Sequence, residues 1–302
     1  MIRVLMIDLG GTLINQDNFV YPHVQEALET IQSFETGTQE QLSVCLVSDF
    51  YMPTPQRTEQ SLFQEYIMLL ESLNLRRFFD PAEQHITLST QAGVFKPDPR
   101  IFELALERLG LTASFDECLF ITENAEHIEA CRSLGMKTLR FAEEEPGVDF
   151  NDWSEAPLLI SQIVNPKNII NLEKAIRLRL AVEHDLEFMA ISDFSPDGTI
   201  SGRAKQWHSL AAANHGAGRN SQVPLSVDVK INLASEGRIL AVKPGQPDKE
   251  ETAEADHYVK TLEDNKQISR KKSGPLSPGE TYRETVNEKG EKRIKRERFS
   301  AI

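Results

Sequence analysis

Residues Asp8–Leu13 read DLGGTL and directly follow the apolar run RVLMI at residues 3–7. The apolar run predicts a buried strand, and the glycines predict a tight turn after it. An aspartate at this position presents its carboxylate beside free backbone N–H groups. Such a carboxylate can attack phosphorus and form an aspartyl-phosphate. Taken alone, the hexapeptide fits equally well an ordinary strand-to-helix turn in which Asp8 caps a helix.

From this turn to residue 141, strand-like and helix-like segments alternate along the chain. The alternation predicts an α/β architecture with a doubly wound parallel sheet that is covered on both faces. The functional site of such a sheet lies at the carboxyl ends of its strands. Apolar runs predict strands at residues 3–7, 42–47, 86–88, 118–121 and 137–141, and helical spacing predicts helices at residues 24–34, 58–73, 98–109 and 125–134.

Two further segments place polar residues at the ends of predicted elements. Ser48 and Asp49 follow the second apolar run, and a hydroxyl there can donate to a phosphoryl oxygen. Lys96 comes just before a predicted helix, and its ammonium can hold a carboxylate and a phosphate together. The alternatives are ordinary turn chemistry for the serine and a surface position for the lysine, although a helix dipole disfavours a cation at a helix start.

The sequence ENAEH at residues 123–127 follows the apolar run at residues 118–121. Carboxylate oxygens at a strand end suit a hard cation such as Mg²⁺. The alternative is helix N-capping by Asn124, with Glu126 in the first helical turn. By themselves, these residues favour the capping alternative.

The four pieces occur in order along the chain, each at the end of a different predicted strand. Together they resemble the haloacid dehalogenase-like (HAD) hydrolase superfamily over about residues 1–141. Asp8–Leu13 resembles the first motif of that family, and Gly93–Phe102 resembles its lysine motif and the helix that follows. Ile121–Gly135 resembles the helix of its fourth motif.

The resemblance implies a doubly wound (Rossmannoid) sheet and a Mg²⁺-dependent hydrolase that forms an aspartyl-phosphate. It implies Asp8 and Lys96 as catalytic residues, the first as nucleophile and the second as charge clamp. The other residues that it implies are Gly11, Thr12, Ser48 and Asp49 for substrate binding, and Asp8, the Gly10 carbonyl and Glu123 for the metal.

Three positions depart from the family pattern. Gly10 stands where most phosphatases of the family carry a second aspartate that protonates the leaving group. Glu123 replaces a shorter aspartate, which alters the distance to a cation that demands near-octahedral geometry. His127 replaces an acidic residue, and it is interpreted either as a proton donor or as an exposed or capped helical residue. Together the three departures raise the alternative of a catalytically weakened or inactive protein.

Composition limits the classes of function. The chain has 302 residues and a net charge of −13, and residues 1–150 carry 10 Lys and Arg against 24 Asp and Glu. This length suggests roughly two domains, and the acidic first half argues against nucleic acid as a partner. No apolar run reaches the ~20 residues that a membrane span needs. The N-terminal run is also too short for a signal peptide, so we expect a cytoplasmic protein. The three cysteines lack metal-type spacing, so we expect them to be reduced thiols in the core.

The second half contains strand signals but no catalytic constellation. Alternating residues at 227–233 and the Asp197-Gly198 pair predict two hairpins, and residues 248–262 predict a polar helix. The glycine-rich segment Asn214–Gly218 lacks the lysine and the strand–helix context of a phosphate loop. The predicted domains are a HAD-like domain at 1–145, a linker with a helix at 146–169, a smaller mixed α+β accessory domain at 170–262, and a flexible basic tail or hairpin at 263–302.

Two functions from different classes follow. The first is a Mg²⁺-dependent phosphatase acting on a small-molecule or macromolecular phosphoester, with little room for a cap domain over the site. The second is a HAD-like scaffold whose residues 170–302 bind a protein partner. Carbon–halogen hydrolysis is a weaker third reading, because dehalogenases of the family also lack the second aspartate and need no metal.

Overall fold

The computed structural model describes residues 1–195, 197–209, 221–271, 273–287 and 289–297. The chain divides into two compact units. The first comprises residues 1–179 together with 236–238, and the second comprises the described residues within 180–235 and 239–302. The segment Asn214–Gly218 and Arg298 of the basic tail lie outside the described residues.

A sheet of five parallel strands forms the centre of the first unit. The strands are β1 (Val4–Ile7), β2 (Ser43–Ser48), β3 (Ile86–Leu88), β4 (Cys118–Thr122) and β5 (Lys137–Arg140). Their order across the sheet is β3-β2-β1-β4-β5, so the chain begins at the centre and builds outward to both edges. All neighbours are parallel, and β1 pairs with both β2 and β4. The doubly wound parallel sheet predicted from the sequence is therefore confirmed.

Helices cover this sheet because the connections between parallel strands must cross back over it. Apolar side chains of β1 and β4 are fully buried, as expected for strands that are covered on both faces. Asp98 caps the fifth helix by accepting a hydrogen bond from the Arg100 N–H at 3.1 Å. The helices are α1 (Val24–Gln32), α2 (Glu59–Ser72), α3 (Ala82–His85), α4 (Ser89–Ala92), α5 (Pro99–Arg108) and α6 (Ala125–Ser133).

The three cysteines are free and buried in the first unit. Burial raises the pKa of Cys118 and of Cys131 to about 12, and it raises the pKa of Cys45 further. The thiols therefore remain protonated at neutral pH and behave as small apolar core residues.

Residues 146–169, predicted as a linker with a helix, belong to the first unit. Phe150 and Trp153 are both buried, and α7 (Ala156–Val164) is buried along most of its length. The structure differs from the prediction because a few aromatic and aliphatic side chains anchor a segment whose average composition is polar. The compact first unit consequently extends to residue 179 instead of ending near 145.

The second unit is a mixed sheet with one long helix, which confirms the predicted α+β class. The alternating burial of β8 is the period-two pattern of a strand with one covered face. Strand β8 pairs antiparallel with β7 and β9 and parallel with β12. The elements are α8 (Ile169–His184), which begins in the first unit, and β6 (Leu186–Phe194), β7 (Thr199–Ser209), β8 (Ser221–Leu233), β9 (Ile239–Pro244), α9 (Lys249–Asp264), β10 (Ile268–Ser269), β11 (Tyr282–Val286) and β12 (Lys292–Arg296).

The predicted tail at 263–302 contributes strands to this sheet. Strands β11 and β12 form an antiparallel hairpin, which was one of the two alternatives drawn from the sequence. Ile294 is buried, and Arg293 forms an ion pair with Asp185. These two contacts order a segment that its composition marks as polar. No helix within the described residues is long and apolar enough to span a bilayer.

Candidate active site

Asp8 lies directly after β1, beside β4, where the strand order reverses. Ligand sites of open α/β sheets lie at such reversal points. The residue is buried, and its Oδ1 accepts a hydrogen bond from the Leu9 N–H at 2.8 Å. Its Oδ2 accepts one from the Thr122 hydroxyl at 3.1 Å. Residues 9–23, all of them described, contain no helix, so Asp8 is not a helix cap.

Lys96 is the ionic partner of Asp8. Its Nζ forms an ion pair with Asp8 Oδ2 and donates a hydrogen bond to the Val47 carbonyl at 3.1 Å. The lysine side chain is 1% exposed and the aspartate side chain 8%, which excludes a surface position for the lysine. Removing one partner of a buried ion pair typically costs about 3–5 kcal/mol, because the other charge is left unpaired. Each charge therefore depends on the other to remain in this site.

Ser48 and Asp49 lie at the end of β2, the neighbour of β1 on its other side. The Asp49 Oδ1 accepts a hydrogen bond from the Lys96 backbone N–H at 2.9 Å, which joins this loop to the lysine segment. Ser48 is buried, and Tyr66 of α2 lies close by. Burial is the main cause that raises the pKa of Tyr66, and the carboxylates of Asp8 and Asp49 add to it.

The two glycines of the turn have different structural requirements. Gly11 has φ +69°, and a Cβ there would lie 2.8 Å from Cγ of Glu123, so only glycine fits. A Cβ at Gly10 would meet nothing within 4 Å. Within the described part of the chain, the Gly10 carbonyl accepts no hydrogen bond. Space for a side chain and an unused carbonyl oxygen therefore lie two residues after Asp8.

Glu123 folds back over the turn and is held by several contacts. Its Oε2 accepts hydrogen bonds from the Thr12 hydroxyl at 2.7 Å and from the Thr122 hydroxyl at 3.1 Å. Its backbone N–H donates to Thr12 Oγ1 at 3.1 Å, and its carbonyl accepts from Arg140 Nε at 3.0 Å. Asn124 caps α6 through the N–H groups of Glu126 and His127, as the alternative drawn from the sequence predicts.

His127 lies on the first turn of α6 and is half-buried. Its Nδ1 is buried and has no hydrogen-bond partner among the described residues. Burial lowers the pKa of His127, the Lys96 ammonium lowers it further, and the three nearby carboxylates of Asp8, Asp49 and Glu123 oppose these effects. A depressed pKa favours the neutral imidazole at pH 7, which argues against the interpretation of His127 as a cationic proton donor.

The oxygen atoms of this site fit a hard divalent cation. The single proton of the Thr122 hydroxyl lies within reach of both Asp8 Oδ2 and Glu123 Oε2, so one of these two oxygens lacks it at any time. Carboxylate and carbonyl oxygens are the ligands that Mg²⁺ takes from proteins, with waters completing the octahedron. Among the described residues, no group of three or more His, Cys, Asp or Glu is arranged to hold a metal. Any ion here would therefore rely on Asp8, Glu123 and the Gly10 carbonyl.

Three residues of the site were not predicted from the sequence. Thr122 and Tyr66 lie inside elements whose side chains read as ordinary strand and helix residues. Trp153 donates from its indole N–H to the Thr12 carbonyl at 2.8 Å, across 141 residues of sequence. The position of Thr122 directly before Glu123 was the one available signal, because the last residue of a strand lies beside the site.

The first unit has the sheet order and the strand-end residues that the sequence motifs predict. A parallel sheet with the order β3-β2-β1-β4-β5 places Asp8, Ser48 and Glu123 at the carboxyl ends of its three central strands. The lysine segment joins them through its contacts with Asp8 and Asp49. This is the arrangement that the sequence motifs predict.

No family model matches the sequence. Among curated proteins, Acyl-CoA dehydrogenase family member 10 of the mouse (Mus musculus) is 39% identical over 56 residues. The matched stretch is 18% of this chain and 5% of that protein, so the similarity concerns a small part of both.

Solved structures of HAD proteins resemble about half of the chain. A HAD-superfamily hydrolase from Ehrlichia chaffeensis is 14% identical, with 55% of this chain and 100% of that chain covered and a TM-score of 0.39. A HAD-hydrolase from Bacillus subtilis bound to magnesium is 17% identical, with coverages of 49% and 57% and a TM-score of 0.36. A HAD phosphatase from Thermococcus onnurineus is 17% identical, with coverages of 48% and 58% and a TM-score of 0.33. At these values, the description of the fold depends on the sheet order and the strand-end residues above.

Proposed function

We propose that the first unit is a Mg²⁺-dependent phosphohydrolase that acts through an aspartyl-phosphate on Asp8. The observation that carries this proposal is the buried ion pair between Asp8 and Lys96 at the point where the strand order reverses. A site kept only for folding gains little from a buried charge pair, because apolar residues of similar volume stabilise as well or better. A catalytic role therefore explains the buried pair better than a contribution to folding does.

In the first step, a carboxylate oxygen of Asp8 attacks the phosphorus of the ester. A bond forms between Asp8 and phosphorus, and the bond from phosphorus to the leaving oxygen breaks with its electron pair on that oxygen. The Lys96 ammonium, already placed at Asp8 Oδ2, offsets the negative charge of the phosphoryl oxygens. We expect Ser48 at the end of β2 to donate to those oxygens. The N–H groups of Gly11 and Thr12, which the sequence predicts to be free, instead donate to the carbonyls of Ile14 and Leu9 at 2.7 and 3.2 Å.

In the second step, water attacks the phosphorus of the aspartyl-phosphate. The bond from phosphorus to Asp8 breaks, inorganic phosphate leaves, and the Asp8 carboxylate is restored. Lys96 then pairs again with Asp8, which returns the site to the state seen here.

The balance of charge supports a requirement for Mg²⁺. Three carboxylates, those of Asp8, Asp49 and Glu123, and one ammonium, that of Lys96, lie close enough to His127 to shift its pKa. A phosphate dianion entering such a site would be repelled without a further positive charge. Asp8, Glu123 and the Gly10 carbonyl would hold the ion, which when bound supplies positive charge to the phosphoryl group.

The absence of a side chain at Gly10 points to a class of substrate. No acid stands there to protonate the leaving oxygen, and a well-placed general acid contributes about 10²–10⁴-fold to the rate. Esters whose leaving group is weakly basic need this proton least. We therefore expect aryl phosphates to be hydrolysed much faster than alkyl phosphates.

The decisive experiment is hydrolysis of an aryl phosphate by the full chain, with Mg²⁺ and with chelator. Asp8→Asn should abolish turnover, because the amide is a poor nucleophile. Asp17→Asn is the matched control, since Asp17 is exposed in the next loop and should leave the rate unchanged. Turnover that survives Asp8→Asn would show that the mechanism is wrong.

A non-catalytic scaffold is the second candidate. Both oxygens of the Asp8 carboxylate already accept hydrogen bonds or ionic contacts, which favours a structural role for this residue. In that case, the second unit would bind a protein partner. A folded sample that shows no Mg²⁺-dependent turnover on a broad panel of phosphoesters would favour the scaffold.

A further inference from the structure

The segment that follows β5, residues 141–155, contacts the nucleophile turn from inside the first unit. Trp153 is fully buried and packs against the rings of Phe141 and Phe150, with centroids 5.9 and 5.3 Å away. Its indole N–H donates to the Thr12 carbonyl at 2.8 Å. Thr12 is itself fully buried, so this carbonyl has no access to water as an alternative donor.

Thr12 relays this contact to Glu123. The Thr12 hydroxyl donates to Glu123 Oε2 at 2.7 Å and accepts from the Glu123 N–H at 3.1 Å. Two hydrogen bonds to one hydroxyl leave the glutamate little freedom. A displacement of the Thr12 backbone would therefore displace the Glu123 carboxylate as well.

The same segment also supports Glu123 through its contacts with Arg140, the last residue of β5. Arg140 donates from Nε to the Glu123 carbonyl at 3.0 Å, and its other nitrogens form a bidentate pair with Glu145 at 2.8 and 2.6 Å. The Asp149 carboxylate accepts from the Arg140 backbone N–H at 2.6 Å. Residues outside the recognised motifs thus hold the residue that the proposed function makes a metal ligand.

We propose that Trp153 is a positioning residue of the Asp8 site: its indole N–H fixes the Thr12 carbonyl, and Thr12 holds the Glu123 carboxylate beside Asp8. The inference rests on the proposed function only where it concerns Mg²⁺. The positioning of Glu123 itself can be measured without a metal, by hydrogen exchange of its backbone amide.

Trp153→Phe removes the donor while keeping most of the ring. In the full chain labelled with ¹⁵N, we expect amide exchange at Glu123 to become about tenfold faster. Isothermal titration calorimetry with Mg²⁺ alone should show that the variant binds Mg²⁺ roughly tenfold more weakly than the wild type. This loss is in the range found for residues that orient a metal ligand. A loss of stability by itself would not weaken Mg²⁺ binding to the folded protein, so the Mg²⁺ affinity distinguishes positioning from packing.

Two control variants separate positioning from packing. Phe150→Leu removes ring contact with Trp153 but keeps the indole donor, so it should lower the Tm while changing Mg²⁺ affinity by less than about twofold. Trp207→Phe replaces the other tryptophan of the chain, which lies in the second unit, and should change neither readout at Glu123.

The outcomes are distinct. Wild-type exchange at Glu123 and wild-type Mg²⁺ affinity in Trp153→Phe would overturn the proposal. Faster exchange at Glu123 with no Mg²⁺ binding to the wild type would support positioning and contradict the metal part of the proposed function. If Trp153→Phe does not fold, the wild type still decides: its Trp153 indole N–H resonance should shift when Mg²⁺ binds, and a resonance that stays fixed while calorimetry shows Mg²⁺ binding would overturn the proposal.

Discussion

The sheets of the two units place their strand ends differently. In the first unit all five strands run parallel, so their carboxyl ends meet at one edge, where Asp8, Ser48 and Glu123 lie. In the second unit β8 runs antiparallel to β7 and β9, so successive strands end at opposite edges. The first topology concentrates polar residues in one place, whereas along β8 the polar residues alternate with buried apolar ones and lie mainly on the more exposed face.

The burial of charge follows this difference. The Asp8–Lys96 pair is almost fully buried, whereas several pairs of the second sheet, such as Lys205–Glu187, are largely exposed. Exposed pairs contribute about 0–1 kcal/mol because water screens them. The ion pair of Asp8 and Lys96, in which both side chains are buried, lies in the first unit, as the proposed function requires. Three measurements test this comparison.

The largest effect is expected at Gly10. Gly10→Asp should raise the rate on an alkyl phosphate by roughly 10²–10⁴-fold, because it supplies the missing acid and a Cβ there meets nothing within 4 Å. Gly10→Asn has nearly the same shape but no acidic proton, so it is the control. Steady-state hydrolysis with Mg²⁺ measures both. Equal rates for the two variants would contradict the role assigned to this position.

A core substitution tests whether the two units unfold separately. Leu5 is fully buried at the middle of β1, and Leu5→Ala should cost about 2–5 kcal/mol of unfolding free energy. Each unit contains one tryptophan, Trp153 in the first and Trp207 in the second, so fluorescence during urea unfolding reports on each unit when the other tryptophan is replaced by phenylalanine.

The expected result is a shift of the Trp153 transition with little change in the Trp207 transition. Leu240→Ala is the control, since Leu240 is 66% exposed in the second unit and should change stability by at most ~0.5 kcal/mol. A Leu5→Ala variant that shifts both transitions equally would show that the two units unfold as one.

The smallest effect concerns pH. Burial lowers the pKa of His127 in the folded state, so the unfolded chain binds a proton more readily. The stabilising contribution of the neutral imidazole is fully present above the unfolded pKa of about 6.5, and it is lost as the pH falls through the folded value. His127→Gln should therefore reduce the loss of stability between pH 7.5 and 5.5.

Urea unfolding at the two pH values measures this effect. His257→Gln is the matched control because His257 is exposed on α9 and should leave the pH dependence unchanged. An identical pH dependence for the wild type and His127→Gln would contradict the buried, neutral state of His127.

Some residues of the predicted site could be inferred from the sequence, and others could not. Asp8 and Lys96 could be predicted because each adjoins a turn with its own local signature, one rich in glycine and the other followed by prolines. Thr122 and Trp153 could not, because their roles depend on contacts with residues more than 100 positions away. A polar segment that folds around one tryptophan looks the same in sequence as a linker.

The C-terminal strands of the second unit are another segment whose structure depends on contacts that composition does not predict. Its basic composition is typical of a solvated segment, yet β12 pairs with β8, Ile294 is buried, and Arg293 pairs with Asp185. Composition averages over positions, whereas a strand is ordered by the few side chains that face the core. Of the two alternatives drawn from the sequence, a flexible tail or a hairpin, the hairpin is the one that forms.

The sequence by itself determined the alternation of strands and helices in the first unit, and therefore the parallel sheet and the edge at which its polar residues gather. These features depend on the local pattern of apolar residues and glycines. Only the tertiary structure decided that Lys96 reaches Asp8, that Glu123 is held by Thr12, and that Trp153 supports Thr12. The reason is physical: hydrogen bonds and ion pairs between distant residues depend on angstrom-scale placement, which is set by the packing of the whole unit.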